Sequence, residues 1–271
     1  MIIRPGHPCW VELATTDTER STAFYGSVFG WRYHWIKDGA GEDYAIALLD
    51  GEPVGGVRPL ERATLDWTPY LAVADLAAAG ERVRRLGGTA LETRQHVLPG
   101  LVAKVLADDP SGATVGLAQP VADGWGFTAG VPGALVWLEF VTRAPRQADP
   151  FYGALFDFRQ RQVGDGTAVD HVVYSTGGDT VIGRVRMAPD TPATVPPRWI
   201  AHFAVPPGLD FAETLHRART AGARLRFQPY PSPLGQVAVL ADPLGTRFAI
   251  IDPELASDWD DHSPADDPYD D

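Results

Sequence analysis

Two short runs, Trp10-Val11-Glu12 and Trp137-Leu138-Glu139, set a carboxylate two residues beyond a tryptophan inside an apolar segment. Side chains two apart on a strand face the same side, so each indole and carboxylate share a face. Burial beside an indole disfavours the charged carboxylate and is expected to raise its pKa toward the range useful for general acid or base work. The alternative is that each glutamate accepts hydrogen bonds from neighbouring strands and merely fixes the fold. Little else competes for a chemical role. The single cysteine, Cys9, leaves no internal disulfide and no cysteine-based metal cage. His34, His96 and His171 fall at strand edges or loops, His216 sits beside a helix face, and no two histidines show metal-ligand spacing. There is no phosphate-cradling glycine loop and no nucleophile elbow.

The two runs are parts of a duplication. Residues 10–32 read WVELATTDTERSTAFYGSVFGWR and residues 137–159 read WLEFVTRAPRQADPFYGALFDFR. Trp10, Glu12, Phe24-Tyr25-Gly26 and Arg32 align with Trp137, Glu139, Phe151-Tyr152-Gly153 and Arg159 in one register. Further on, ADDPSGATVGL from Ala107 matches LADPLGTRFAI from Leu240, with Asp109 opposite Asp242. Self-similarity of this kind fixes architecture before single residues are assigned.

Within each half the signals divide again. An apolar strand at Trp10–Ala14 leads to a Thr16-x-x-Glu19 capping box and a stripe of Phe24, Tyr25, Val28 and Phe29 closed by Gly30, which predicts a helix. Three strand-like runs follow, at 31–36, 44–49 and 54–59. A second strand at Tyr70–Val73 precedes a helix capped by Asp75, with Leu76, Ala79, Val83 and Leu86 on one face and Gly87-Gly88 at its exit. Strands at 90–93, 101–107 and 114–117 complete the unit. The same strand, helix, three-strand order recurs at Leu135–Met187 and Trp199–Ile251, where Asp210-x-x-Glu213 repeats the capping box and Pro150 should kink or delay the third helix.

The fold class expected is therefore α+β, four βαβββ modules in two tandem domains at 6–121 and 134–254. A glycine-rich linker at 122–133, with Trp125 as a packing anchor, and an acidic disordered tail at 255–271 complete the organisation. The tail from Ser257 holds seven aspartates and no lysine or arginine, so most of the net charge of −12 sits there. With a pI near 4.9 and no basic patch, nucleic acid is not expected as a partner. No apolar run reaches the roughly 18 residues of a membrane span, and Met1–Trp10 lacks a signal core, which points to the cytoplasm and to no membrane association. Lysine occurs only at Lys37 and Lys104, a compositional bias toward arginine.

The ordered motifs E-L-x-T-x-D, F-Y-x-x-x-F-G-W, the Gly-Gly helix exit and D-P-x-G, present in both halves, resemble the vicinal oxygen chelate superfamily of glyoxalase I, bleomycin-resistance proteins and extradiol dioxygenases. The resemblance spans residues 6–254 and implies two cupped sheets or barrels, each able to hold a small molecule. It also implies a divalent metal bound from the concave faces, at positions that correspond here to Trp10, Ala47, Thr68 and Gly116 in the first half and Trp137, Tyr174, Ile200 and Ala249 in the second. Only Tyr174 is even a weak ligand, so no metal and no other cofactor is expected.

Strand parity then places Glu12 and Tyr70 in the first cavity and Glu139, Tyr174, His202 and Arg247 in the second, with Trp10 and Trp137 as walls. The second half holds the richer chemistry. The expected function is a metal-independent enzyme of secondary metabolism, an isomerase, lyase or cyclase acting on a small oxygenated metabolite. Glu139 and His202, with Glu12, are the acid-base candidates, and Trp10, Trp137, Tyr70, Tyr174 and Arg247 line the substrate. The alternative is a drug- or metabolite-binding resistance protein, and the third reading a metal-dependent dioxygenase or hydroxylase. Either a monomer or a homodimer suits these readings.

Overall fold

The computed structural model describes residues 4–38, 41–61, 66–91, 102–120, 126–167 and 170–256. Expectations about His96, Trp125, most of the 90–93 strand and the tail beyond residue 256 lie outside the described residues.

The first module runs β1 (Pro8–Thr15), α1 (Thr18–Phe29), β2 (Arg32–Lys37), β3 (Asp43–Leu49) and β4 (Glu52–Pro59). The second runs β5 (Thr68–Ala72), α2 (Leu76–Arg85), β6 (Thr89–Ala90), β7 (Val102–Asp108) and β8 (Thr114–Pro120). The third comprises β9 (Leu135–Thr142), α3 (Pro145–Phe156), β10 (Arg159–Val163), β11 (His171–Thr176) and β12 (Asp179–Arg186). The fourth comprises β13 (Arg198–Ala204), α4 (Phe211–Thr220), β14 (Arg224–Leu225), β15 (Tyr230–Ser232), β16 (Gly235–Ala241) and β17 (Arg247–Asp252). The expected module order is thus present four times, with β15 as one added short strand.

Modules pair through their first strands. β1 lies antiparallel to β5, joining modules one and two into a sheet ordered β2-β3-β4-β1-β5-β8-β7-β6. β9 lies antiparallel to β13, giving β10-β11-β12-β9-β13-β17-β16-β14 with β15 on β16. Register repeats with the same fidelity: Glu12 stands opposite Gly56 as Glu139 stands opposite Gly183, and Tyr70 opposite Gly116 as His202 opposite Ala249.

Each sheet has two unlike faces. The convex faces carry Val11, Leu13 and Leu71 in one sheet and Leu138, Phe140, Phe203 and Ile250 in the other, and these merge with the buried helix stripes in one continuous core. The concave faces carry the alternate residues, among them Glu12 and Glu139. Asp17, not Thr16, caps α1 by accepting the Arg20 N–H at 2.9 Å, one position later than the sequence pattern suggests. Thr15 instead meets the Ser21 hydroxyl. The helix α3 starts at Pro145, a favourable first-turn position, and continues through Pro150, so Pro150 does not delay its start.

The repeated motifs meet across the halves. Tyr25 of α1 donates its hydroxyl to Asp242 Oδ2 at 3.2 Å, and Tyr152 of α3 donates to Asp109 Oδ2 at 2.9 Å. In each aspartate the other oxygen closes its own turn, Asp109 Oδ1 accepting from Ser111 and Ala113, Asp242 Oδ1 from Leu244 and Thr246. The Phe-Tyr-Gly of one half is therefore satisfied by the Asp-Pro-x-Gly or Asp-Pro-Ser-Gly turn of the other, in both directions.

Candidate functional site

In the first cup, Glu12 is 2% exposed and surrounded by donors. Tyr44 and Tyr70 donate their hydroxyls to it at 2.9 and 3.1 Å, Arg58 Nε donates at 2.8 Å, and the Lys104 ammonium binds its second oxygen. Lys104 also lies over the Tyr44 and Tyr70 rings, 5.3 and 4.9 Å from their centroids. Space for those rings comes from Gly56 and Gly116, where a Cβ would sit 1.9 Å from the Tyr44 oxygen and 2.1 Å from the Tyr70 ring. Trp10 closes the arrangement by donating Nε1 to the Tyr44 hydroxyl at 2.8 Å and meeting Phe127 edge-on.

The pKa of Glu12 departs from the expectation. Burial pushes it up, but Lys104 and Arg58, helped by the hydrogen bonds from Lys104 and Tyr44, outweigh burial and hold it down to about 2. Burial depresses Lys104 below the usual ammonium range despite Glu12. Near neutral pH Glu12 is thus ionised and bound into a network of two cations and two hydroxyls. Tyr70 and Trp10, expected to touch a substrate, are spent on the same network.

The second cup differs at the corresponding positions. Glu139, 6% exposed, has His202 Nε2 at 3.3 Å from one oxygen and His171 Nε2 at 3.8 Å from the other. The repeat offset that aligns Glu12 with Glu139 also aligns Tyr44 with His171, and the pairing with Trp10 and Trp137 aligns Tyr70 with His202. The equivalents of Arg58 and Lys104 are Val185 and Val237. Around the two histidines the concave wall is apolar, made by Val141, Met187, Ile200, Val237, Val239, Ala249 and Ile251. Burial raises the Glu139 pKa, but the hydrogen bond and charge of His202, then His171 and the Trp137 indole, turn the balance and lower it. The expected upward shift is therefore corrected here too. His171 is held below its ordinary pKa chiefly by burial, against the pull of Glu139.

Two expected members of this site lie elsewhere. Tyr174 points to the convex face, packing on Tyr152 and Phe158 with its hydroxyl on Asp149 of α3. Ala47 is on the convex face as well, paired with Gly55, whose Cβ would meet Val11. The strand register shifts beside both residues, which is why motif alignment lands one pleat away. Arg247 is on the concave side of β17 at one end of the cup, beside Asp66, and both it and Arg198 act on that carboxyl. There burial raises the Asp66 carboxyl to about 6 against the two guanidinium groups.

At the positions the fold implies, Trp10, Thr68, Gly116, Trp137, Ile200 and Ala249 offer no strong ligand, and the first cup is filled by its own cations. Glu139, His171 and His202 are residues of ligand type, but no group of three or more His, Cys, Asp or Glu among the described residues is arranged to hold an ion. Sequence reasoning missed His171 in this cup, as it missed Tyr44, Arg58 and Lys104 in the first. The signal for His171 was the repeat offset itself, applied to Tyr44.

Comparison with known proteins agrees with this architecture. Residues 10–118 match the family model described as a glyoxalase-like domain. The chain is 32% identical over 258 residues to CFP32 of Mycobacterium bovis, named as a glyoxylase, covering 92% of this chain and 96% of that one. It is 31% identical over 265 residues to the anthracycline biosynthesis protein DnrV of Streptomyces peucetius, covering 92% and 94%. Among solved structures, the Mn(II)-bound glyoxalase from Novosphingobium aromaticivorans superposes with a TM-score of 0.67 at 17% identity, over 96% of this chain and 86% of that one. The catechol dioxygenase BphC gives 0.64 at 14% identity, over 91% and 86%. With its four βαβββ modules in two cupped sheets, the chain belongs to the vicinal oxygen chelate superfamily as a tandem glyoxalase-like member.

Proposed function

We propose that the second cup is an acid-base active site that moves a proton on a small oxygenated metabolite, as an isomerase, lyase or cyclase of secondary metabolism, without a metal. The observation that carries the reading is the Glu139 carboxylate with one imidazole addressing each oxygen inside an apolar wall. A carboxylate held ionised is a poor base but a good partner for an imidazole, because it stabilises the imidazolium formed when that ring accepts a proton. His202 Nε2 is turned to Glu139; Nδ1 is buried as well and has no hydrogen-bond partner among the described residues, so on this reading it acts once a bound substrate reaches it. On taking a proton, His202 and Glu139 together become neutral, which suits the apolar surroundings. The same nitrogen then returns the proton to another substrate atom, or to a leaving group, as the three reaction types require. Glu139 is accordingly the positioning and charge-balancing residue, and His202 the base. The names of DnrV and DauV, anthracycline biosynthesis proteins, support placing the reaction in secondary metabolism. Glyoxalase-like relatives support a small-molecule substrate.

The test is proton exchange. A panel of hydroxylated ketones and quinones is incubated with protein in D2O and deuterium uptake at carbon is followed by NMR. Catalysed uptake that falls about 10²- to 10⁴-fold in His202→Asn and Glu139→Gln supports the reading. Tight binding of a panel member with no exchange, unchanged in both variants, replaces it with sequestration.

A further inference from the structure

The acid-base reading leaves one charged group of the second cup unused, the cluster of Asp66, Arg198 and Arg247 at its end. Strand pairing places it. Ile200 stands opposite Glu139 across β13 and β9, and the parallel pairing of His202 with Ala249 sets Arg247 beside Ile200. Glu139, Ile200 and Arg247 therefore form one row across three strands of the concave face, with Arg247 two strands, or about 10 Å, from Glu139. Arg198 shares that face, two residues before Ile200 and opposite Val141 of the apolar wall. Arg198 is 3% exposed and Arg247 partly exposed, so the row reaches solvent at the Arg247 end.

Asp66 comes from the first half, seated against Arg247 by a parallel bridge. It behaves unlike Glu12, the other buried carboxylate with two cations. Glu12 touches Lys104 and Arg58 and is held down to about 2, whereas burial raises Asp66 to about 6 against both guanidinium groups. Arg198 and Arg247 thus hold Asp66 less firmly than contact pairs hold Glu12. Two guanidinium groups also present about ten N–H donors, and one carboxylate only about four acceptor positions. We infer that the substrate of the second cup carries a carboxylate, which Arg198 and Arg247 bind so that the rest of the molecule lies along the apolar wall toward His202. A planar two-oxygen anion matches the guanidinium fork, and pairing in a buried place makes such contacts strong. With that carboxylate bound, the two guanidinium groups face two carboxylates, one from each partner. The inference rests on the acid-base reading only in taking the second cup as the substrate site.

The full chain is titrated calorimetrically at neutral pH with 4-oxo-4-phenylbutanoate and with its methyl ester, which differ in the charge and little else. The acid is expected to bind with a Kd below about 1 mM and the ester about tenfold or more weaker. Arg198→Met and Arg247→Met should each weaken the acid about tenfold or more and leave the ester within about twofold, with melting curves confirming that both variants fold. Failure of the acid to bind at millimolar concentration, or equal affinity of acid and ester for the wild-type chain, overturns the inference without any variant. So does an equal loss for acid and ester in both variants, which would make the arginines shapers of the cup and not holders of a carboxylate. Selective loss of the acid in the variants, alongside deuterium exchange into the acid that survives His202→Asn, keeps the carboxylate site and removes the acid-base reading. Exchange that depends on His202 with no preference for the acid does the reverse.

Discussion

The two cups share a backbone, a register and a buried glutamate, and differ in what faces that glutamate. Glu12 meets two tyrosines, a lysine and an arginine; Glu139 meets two histidines and, where the cations would be, two valines. Both carboxylates are held in the charged form, but for opposite ends. In the first cup Glu12 is compensated by Lys104 and Arg58 together, with two tyrosine hydroxyls donating to it, although burial holds Lys104 below the usual ammonium range. In the second the partners are two imidazoles, and burial holds that of His171 below its ordinary pKa. Tyr against His at two positions, and a cation against valine at two more, separate the two networks.

The comparison is broken most directly by exchanging the roles of the glutamates. Glu139→Gln is expected to lower turnover about 10²- to 10⁴-fold at nearly unchanged stability, measured by exchange kinetics beside a melting curve. If Glu12→Gln proves the more damaging to turnover per folded molecule, the assignment of the cups is reversed. Glu12→Gln should instead lower stability by about 3–5 kcal/mol in chemical unfolding, because it leaves the Lys104 ammonium and Arg58 buried without their counter-charge. Adding Lys104→Met to it should recover a good part of that loss, and no recovery would show that Lys104 is paired elsewhere.

Acid sharpens the same contrast. The Glu12 pKa is depressed in the folded state, so its contribution is present above the unfolded value near 4.5 and is lost as pH falls toward 2. Wild-type protein should therefore lose stability steeply over that window, and the Glu12→Gln variant should show a flatter curve. Identical curves would mean that the carboxylate is not held by its cations. The smallest effect concerns the joint between the halves. Tyr152→Phe should cost about 1 kcal/mol for its bond to Asp109, and Tyr25→Phe about 1–3 kcal/mol because it also leaves the buried Trp67 indole without its acceptor; the two should add, since they lie in separate contacts.

Much of this was legible before any coordinates. The duplication, the module order and the two glutamates follow from self-comparison and strand parity, and His202 from parity counted from a position that the family resemblance supplies. What was lost was lost for physical reasons. His171 is the first residue of β11, where periodicity is weakest, and its face is fixed only by the partner strand. Lys104 read as composition because a lone lysine in a strand carries no mark of the carboxylate it meets 92 positions away. Asp66 reaches the Arg198 and Arg247 end of the second cup from the other half, a contact that no local pattern contains. The downward pKa shifts were missed because burial is visible in sequence and counter-charge is not.

The bond between Tyr25 and Asp242 joins residues 217 positions apart. As the chain leaves the ribosome, the first helix therefore emerges long before the turn that will receive its tyrosine hydroxyl exists. Until then the stripe of Phe24, Tyr25 and Phe29 has no Phe203 or Phe248 to cover it. The nascent first half must wait with an aromatic face open to water or to chaperones, and its last burial step belongs to the final stretch of synthesis. High sequence separation of this kind slows folding, so the joint that makes one molecule of two repeats also sets the pace at which that molecule is completed.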